Sequence, residues 1–72
     1  MGKYDEEYKK IGMNISSYRK KMKMTQEELA NKVGISYSYL TQIEAPNVIK
    51  KMSLEVLLDI ASALNVDINK LL

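Results

Sequence analysis

The stretch Met24–Ala45, MTQEELANKVGISYSYLTQIEA, decides the fold, because two helix starts and the stop between them are written into it. Thr25 followed three residues later by Glu28 is a capping box, in which hydroxyl and carboxylate each satisfy a backbone N–H that the first helical turn leaves unpaired. Met24 before that cap and Leu29 four residues after it form a hydrophobic staple, and Leu29, Ala30 and Val33 repeat on one helical face. Gly34 follows the last periodic residue, where a left-handed conformation suits glycine and turns the chain. Ser36 is then a second N-cap, stapled by Ile35 and Leu40, with Leu40 and Ile43 pointing inward. The outward residues of this second helix, Ser36, Tyr37, Ser38, Thr41 and Gln42, are polar or amphipathic and serve no small core. Two short helices meet at a tight corner.

Working outward, Asp5, Glu6 and Glu7 place acidic groups at the start of a first helix, where the macrodipole favours them. Tyr8, Ile11, Ile15, Tyr18 and Met22 recur at spacings of three and four, a continuous inner stripe. Gly12 within that stripe costs about 1 kcal/mol relative to alanine, so either a neighbour packs closely there or the helix starts near Ile11. Arg19 lies beside the stripe and needs a partner. On the other side, Pro46 ends the second short helix near Glu44 or Ala45. Ser53 caps a fourth helix, stapled by Met52 and Leu57, with an inner stripe of Leu54, Leu57, Leu58, Ala61 and Leu64, and Asn65 closes it in a left-handed turn. Asp67 caps a fifth, short helix, stapled by Val66 and Leu71. The expectation is an all-α, compact five-helix fold: residues 11–72 form the domain and residues 1–10 extend its first helix at the N-terminus.

Seventy-two residues make one small domain in which every cap counts. There is no cysteine, hence neither a disulfide frame nor a thiolate metal site. No signal peptide opens the chain and no apolar run approaches a membrane span, so a soluble cytoplasmic protein is expected. The net charge of +2 is unevenly spread: from Lys9 to Lys51 nine Lys and Arg face three Glu, a net +6, with −2 on either side. Positive charge gathers around the two short helices, as on a surface that meets phosphates; solvation of helices by lysine is the blander explanation.

Counting from Gln26, small Ala30 stands fifth, Gly34 ninth, Leu40 fifteenth and Ile43 eighteenth. This order resembles the helix-turn-helix of the Xre family, which includes the Cro and repressor proteins of lambdoid phages, and the resemblance runs from about Ile11 to Leu72. It implies a lambda-repressor-like DNA-binding domain with the helix-turn-helix at helices 2 and 3. It also implies that Arg19 pairs with Glu44, and that Ser36, Tyr37, Ser38 and Gln42, with Thr41 at the margin, meet base edges in the major groove. Thr25 and Gln26, at the start of helix 2, match a phosphate-holding helix N-terminus. Tyr39 either packs its ring or sends its hydroxyl to phosphate. Where the family commonly has a polar turn such as Asn-Gly after the glutamate, this chain has Ala45-Pro46-Asn47 and a longer loop, so Asn47, Lys50 and Lys51 become the substitute phosphate contacts.

The resemblance implies a sequence-specific regulator of transcription that binds double-stranded DNA as a repressor-type homodimer. The alternative is a protein-interaction module, such as an antitoxin or a partner-bound regulator, meeting its partner through Tyr4 and Tyr8 or through Ile68, Leu71 and Leu72. Catalysis finds no support: histidine and cysteine are absent, and Glu6/Glu7, Glu27/Glu28 and Glu55/Asp59 suit solvated positions. No catalytic residue, metal site or cofactor is expected.

Overall fold

In the computed structural model, which describes residues 2–72, the chain is all α, with α1 (Asp5–Lys21), α2 (Gln26–Val33), α3 (Tyr37–Glu44), α4 (Leu54–Leu64) and a 3-10 turn at Ile68–Lys70. Met1, the first residue of the expected 1–10 extension, lies outside the described residues. The capping box is formed in full: Glu28 N–H donates to Thr25 Oγ1 at 3.0 Å and Thr25 N–H to Glu28 Oε1 at 2.8 Å. Ser36 and Ser53 accept from the backbone of Tyr39 and Val56, so α3 and α4 begin on the hydroxyls read from the sequence.

Three helix ends share one geometry. Lys23, Gly34 and Asn65 are left-handed, at φ of 56°, 85° and 57°. The N–H of the next residue reaches back five positions in each case: Met24 to Arg19, Ile35 to Ala30 and Val66 to Ala61, at 3.0–3.1 Å. This is the Schellman stop. Met24, Ile35 and Val66 also pack against the core, and each immediately precedes the N-cap of the next element, Thr25, Ser36 and Asp67. One side chain thus closes one helix and staples the next.

The expected fifth α-helix is not formed. Asp67 makes no side-chain cap bond, and the segment holds only Lys70 N–H to Asp67 O and Leu71 N–H to Ile68 O, both 2.9 Å. Asn14 Nδ2 takes the Leu71 carbonyl at 2.9 Å while the Leu71 side chain is fully buried. The segment is therefore anchored to α1 after a single tight turn, too short to offset helix nucleation. The fold is four α-helices and a 3-10 turn.

The core is built from Ile15 of α1, Leu29 of α2, Leu40 of α3, Ile60 and Leu64 of α4, and Leu71. Several positions differ from the expected stripes. Met22 is exposed because α1 stops at Lys21 and the chain has begun to turn there. Leu54 and Leu58 are 66% and 47% exposed; α4 rotates so that Leu57, Ile60, Ala61 and Leu64 face inward. Gly12, well inside α1, is explained by a close neighbour. A Cβ at this position would fall inside van der Waals contact of the Ile43 carbonyl oxygen. The missing side chain lets α1 and α3 cross nearly backbone to backbone.

Candidate nucleic-acid interface

What orients α3 is a cluster of polar groups at the α1–α3 crossing. Arg19, 8% exposed, donates through Nε and Nη2 to the carboxylate of Glu44, with contacts of 2.9, 2.9 and 3.2 Å. The Glu44 side chain is 3% exposed. Arg19 Nη1 donates to the Met24 carbonyl at 2.7 Å, while Met24 N–H donates back to the Arg19 carbonyl. Gln26 Nε2 adds a hydrogen bond to Glu44 Oε1 at 3.1 Å. One planar guanidinium therefore ties the end of α1, the first corner and the end of α3, a task that its rigid fork suits better than an ammonium would. Every buried side-chain N or O among the described residues has a partner.

With its C-terminal end fixed in this way, α3 presents its remaining faces outward. Tyr37 is 55% exposed, Ser36 and Ser38 are exposed, and Thr41 and Gln42 are half-buried. Thr41 Oγ1 donates to the Ser38 carbonyl at 2.8 Å, so its hydroxyl proton is engaged with its own helix. Gln42 Nε2 lies 3.4 Å from Ser38 Oγ, a long contact that leaves most of the amide's bonding capacity free.

Thr25, Gln26 and Tyr37 come together, with Arg19 and Glu27, around an open cleft of about 470 Å³ at the start of α2. Thr25 Oγ1 accepts from Glu28 N–H and keeps its own proton to donate. The Gln26 amide is directed at Glu44, and its second N–H remains. The hydrogen bond from Gln26 to Glu44 is a link that sequence reasoning missed; nothing local pairs residues 18 apart.

The loop after α3 falls into two parts. Ala45 N–H bonds to Gln42 O and Val48 N–H to Ala45 O, a turn around Pro46 and the exposed Asn47. Lys50 is half-buried with Nζ 5.5 Å from the Tyr39 ring centroid, and Lys51 is exposed. The Tyr39 hydroxyl donates to the Lys51 carbonyl at 3.3 Å, so its ring packs and its proton goes to the loop.

Of the C-terminal residues considered for a protein partner, Leu71 is wholly buried, Ile68 is half-buried and Leu72 is exposed. Tyr4 and Tyr8 line a groove of about 290 Å³ with Ile11, Met52, Leu54 and Leu57. No helix among the described residues is long and apolar enough to cross a membrane.

A capped, two-helix corner with an outward polar second helix defines a helix-turn-helix protein. A family profile described as helix-turn-helix matches residues 15–71. The fold is similar to the restriction-modification controller protein C.AhdI from Aeromonas hydrophila (27% identity, TM-score 0.83, 92% of this chain and 97% of that one). It is also similar to SinR, the master regulator for biofilm formation, solved in complex with DNA (36% identity, TM-score 0.78, 85% and 95%). The clp gene regulator ClgR from C. glutamicum gives 26% identity and a TM-score of 0.80 over 89% and 80%. No curated protein matches by sequence search alone. The chain belongs to the Xre family of Cro/repressor-like helix-turn-helix regulators. This is a family of DNA-binding transcription regulators, and its members named here are regulators, not enzymes.

Proposed function

We propose that the chain is a sequence-specific transcriptional regulator, a repressor-type homodimer that places α3 in the major groove of each half-site. The observation that carries this is the outward display of Ser36, Tyr37, Ser38 and Gln42 on a helix whose angle is fixed from behind by Arg19 and Glu44. Tyr37 and Gln42 read base edges: a glutamine amide can bond bidentately to adenine, and a tyrosine ring can meet a thymine methyl. Ser36 and Ser38 add hydroxyls at the helix start, and Thr41 lies at the margin. Phosphates on one side are held by Thr25, Gln26 and the first-turn amides of α2, and on the other by Asn47, Lys50 and Lys51. Half-sites then lie about 34 Å apart.

SinR was solved bound to DNA, which supports duplex DNA as the ligand here. Selection of bound sites from a random duplex pool tests the proposal. An enriched palindrome with half-sites one helical turn apart supports it; binding without any enrichment removes sequence specificity, and no binding at low salt removes DNA altogether.

A second function, a module for a protein partner, has one observation in its favour: the groove at Tyr4 and Tyr8, with Leu54 exposed on its rim. A partner that binds while duplex DNA is ignored would favour it.

A further inference from the structure

We infer that Tyr39 is a positioning residue for the phosphate contact made by Lys51, and not itself a phosphate ligand; this rests on the DNA-binding function proposed above. The loop between α3 and α4 is nine residues long from Ala45 to Ser53. Its own backbone turn ends at Val48, and between there and the Ser53 cap no backbone hydrogen bond among the described residues ties it down. Side-chain contacts do so instead. Met52 packs against the core, and the Tyr39 hydroxyl donates to the Lys51 carbonyl.

Tyr39 can do this because its backbone is fixed at the start of α3, where its N–H donates to Ser36 Oγ at 3.0 Å. Its ring packs against the core, which leaves only the hydroxyl pointing along the surface toward the loop. Lys50 lies over the ring at 5.5 Å from its centroid, in the range of a cation–π contact. Burial then alternates along the strand-like run: Lys50 half-buried, Lys51 exposed, Met52 half-buried. With half-buried residues on both sides and its carbonyl accepting one long hydrogen bond from Tyr39, the exposed Lys51 has its backbone restrained.

The consequence is specific to a charge held in place. A lysine on a loose loop attracts DNA from many positions and orders on binding, at an entropic cost for its chain. A lysine whose backbone is already bonded to the recognition helix meets the duplex in register with that helix. Removal of the Tyr39 hydroxyl leaves charge and base-reading residues in place, keeps the ring over which Lys50 lies, and releases the loop backbone at Lys51.

The test is a double-mutant cycle on the full chain, with a fixed duplex of random sequence and again with the selected site, titrated over a range of salt. Tyr39→Phe should weaken binding to both duplexes by about threefold to tenfold and lower the salt slope by up to about 1, the signature of one phosphate contact. In a Lys51→Ala background the same substitution should change nothing. A melting temperature within a few degrees of wild type shows that the fold is retained. Wild-type affinity and slope in Tyr39→Phe would overturn the positioning role while DNA binding stands. So would an equal loss in the Lys51→Ala background, which would assign the hydroxyl its own contact. Failure of the wild-type chain to bind any duplex removes the DNA function on which the role depends.

Discussion

Glu44 receives three hydrogen bonds from Arg19, at 2.9–3.2 Å, in a site where both side chains are nearly out of solvent. A buried pair of this kind destabilises strongly when one partner is removed, because the other charge is left stranded. Glu44→Ala leaves Arg19 without its carboxylate and Gln26 Nε2 without an acceptor. It should cost about 3–5 kcal/mol, which in a domain of this size lowers Tm by more than about 12 °C. Thermal denaturation followed by far-UV circular dichroism checks this. A shift of a few degrees would contradict the burial.

Gly12→Ala sets helix propensity against packing. Alanine is the better helix former by about 1 kcal/mol, yet its methyl would meet the Ile43 carbonyl, a backbone atom that cannot swing aside. Packing should win, with a net loss of about 1–3 kcal/mol by urea denaturation. DNA affinity should fall as well in the folded fraction, because α3 must shift to admit the methyl.

The left-handed corner residues give a pair of opposite sign. Lys23 adopts φ 56° with a full side chain, so Lys23→Gly should stabilise by roughly 0.5–1 kcal/mol. Gly34 adopts φ 85° with open space where a Cβ would go, so Gly34→Ala should cost about 1 kcal/mol from the backbone alone. Two urea titrations decide both. Equal signs would mean that local packing, not conformation, governs these corners.

The capping box makes stability depend on acid. The Thr25 backbone N–H, which donates to Glu28 Oε1 at 2.8 Å, holds the Glu28 carboxyl below its ordinary value of 4.5. A group whose folded value is depressed contributes stability that is present above the unfolded value and is lost as pH falls through the folded one. The loss therefore begins near pH 4.5 and grows below it. Glu28→Gln, which keeps an acceptor and lacks the titration, should flatten the acid limb of Tm against pH between about 6 and 3.

Mutations in α3 and in the loop should separate by kind. Tyr37→Ala or Gln42→Ala should relax sequence preference, by about 1–3 kcal/mol of discrimination at the affected base pair. Lys51→Ala should weaken every duplex alike and reduce the salt slope by about 1. Competition binding with single-base variants of the selected site distinguishes the two classes, and identical behaviour would mean that the roles are wrongly assigned.

What could be read from the residues is what acts within four or five positions. Thr25 with Glu28, Ser36, Ser53, Gly34 and Asn65 bear their geometry in their own side chains and backbone freedom, so the helix-turn-helix and these five helix limits were legible. The missing fifth helix was not. Asp67 looks like the other caps, but Asn14 reaches the Leu71 carbonyl from 57 residues away. The same holds for Gly12, whose reason is the Ile43 backbone, and for the bonds of Gln26 and Tyr39 to Glu44 and Lys51. Leu54 and Leu58 fitted a helical stripe that left out the fully buried Ile60, and only the packing of the neighbouring helices selects which side of α4 turns in. Lys23 carries no mark of a left-handed residue; the corner imposes it.

Because Met24, Ile35 and Val66 each end one helix and begin the next, the corners contain no spare residue. An inserted amino acid at any of them would detach a staple from its cap and rotate every downstream helix out of phase with the core. Ala45–Ser53, where no single side chain does both jobs, is the segment in which chain length can drift between relatives without such a penalty. Length polymorphism in this lineage should therefore be confined to the edge of the proposed DNA-facing surface, where it would alter the spacing of the proposed phosphate contacts and leave the angle of α3 untouched.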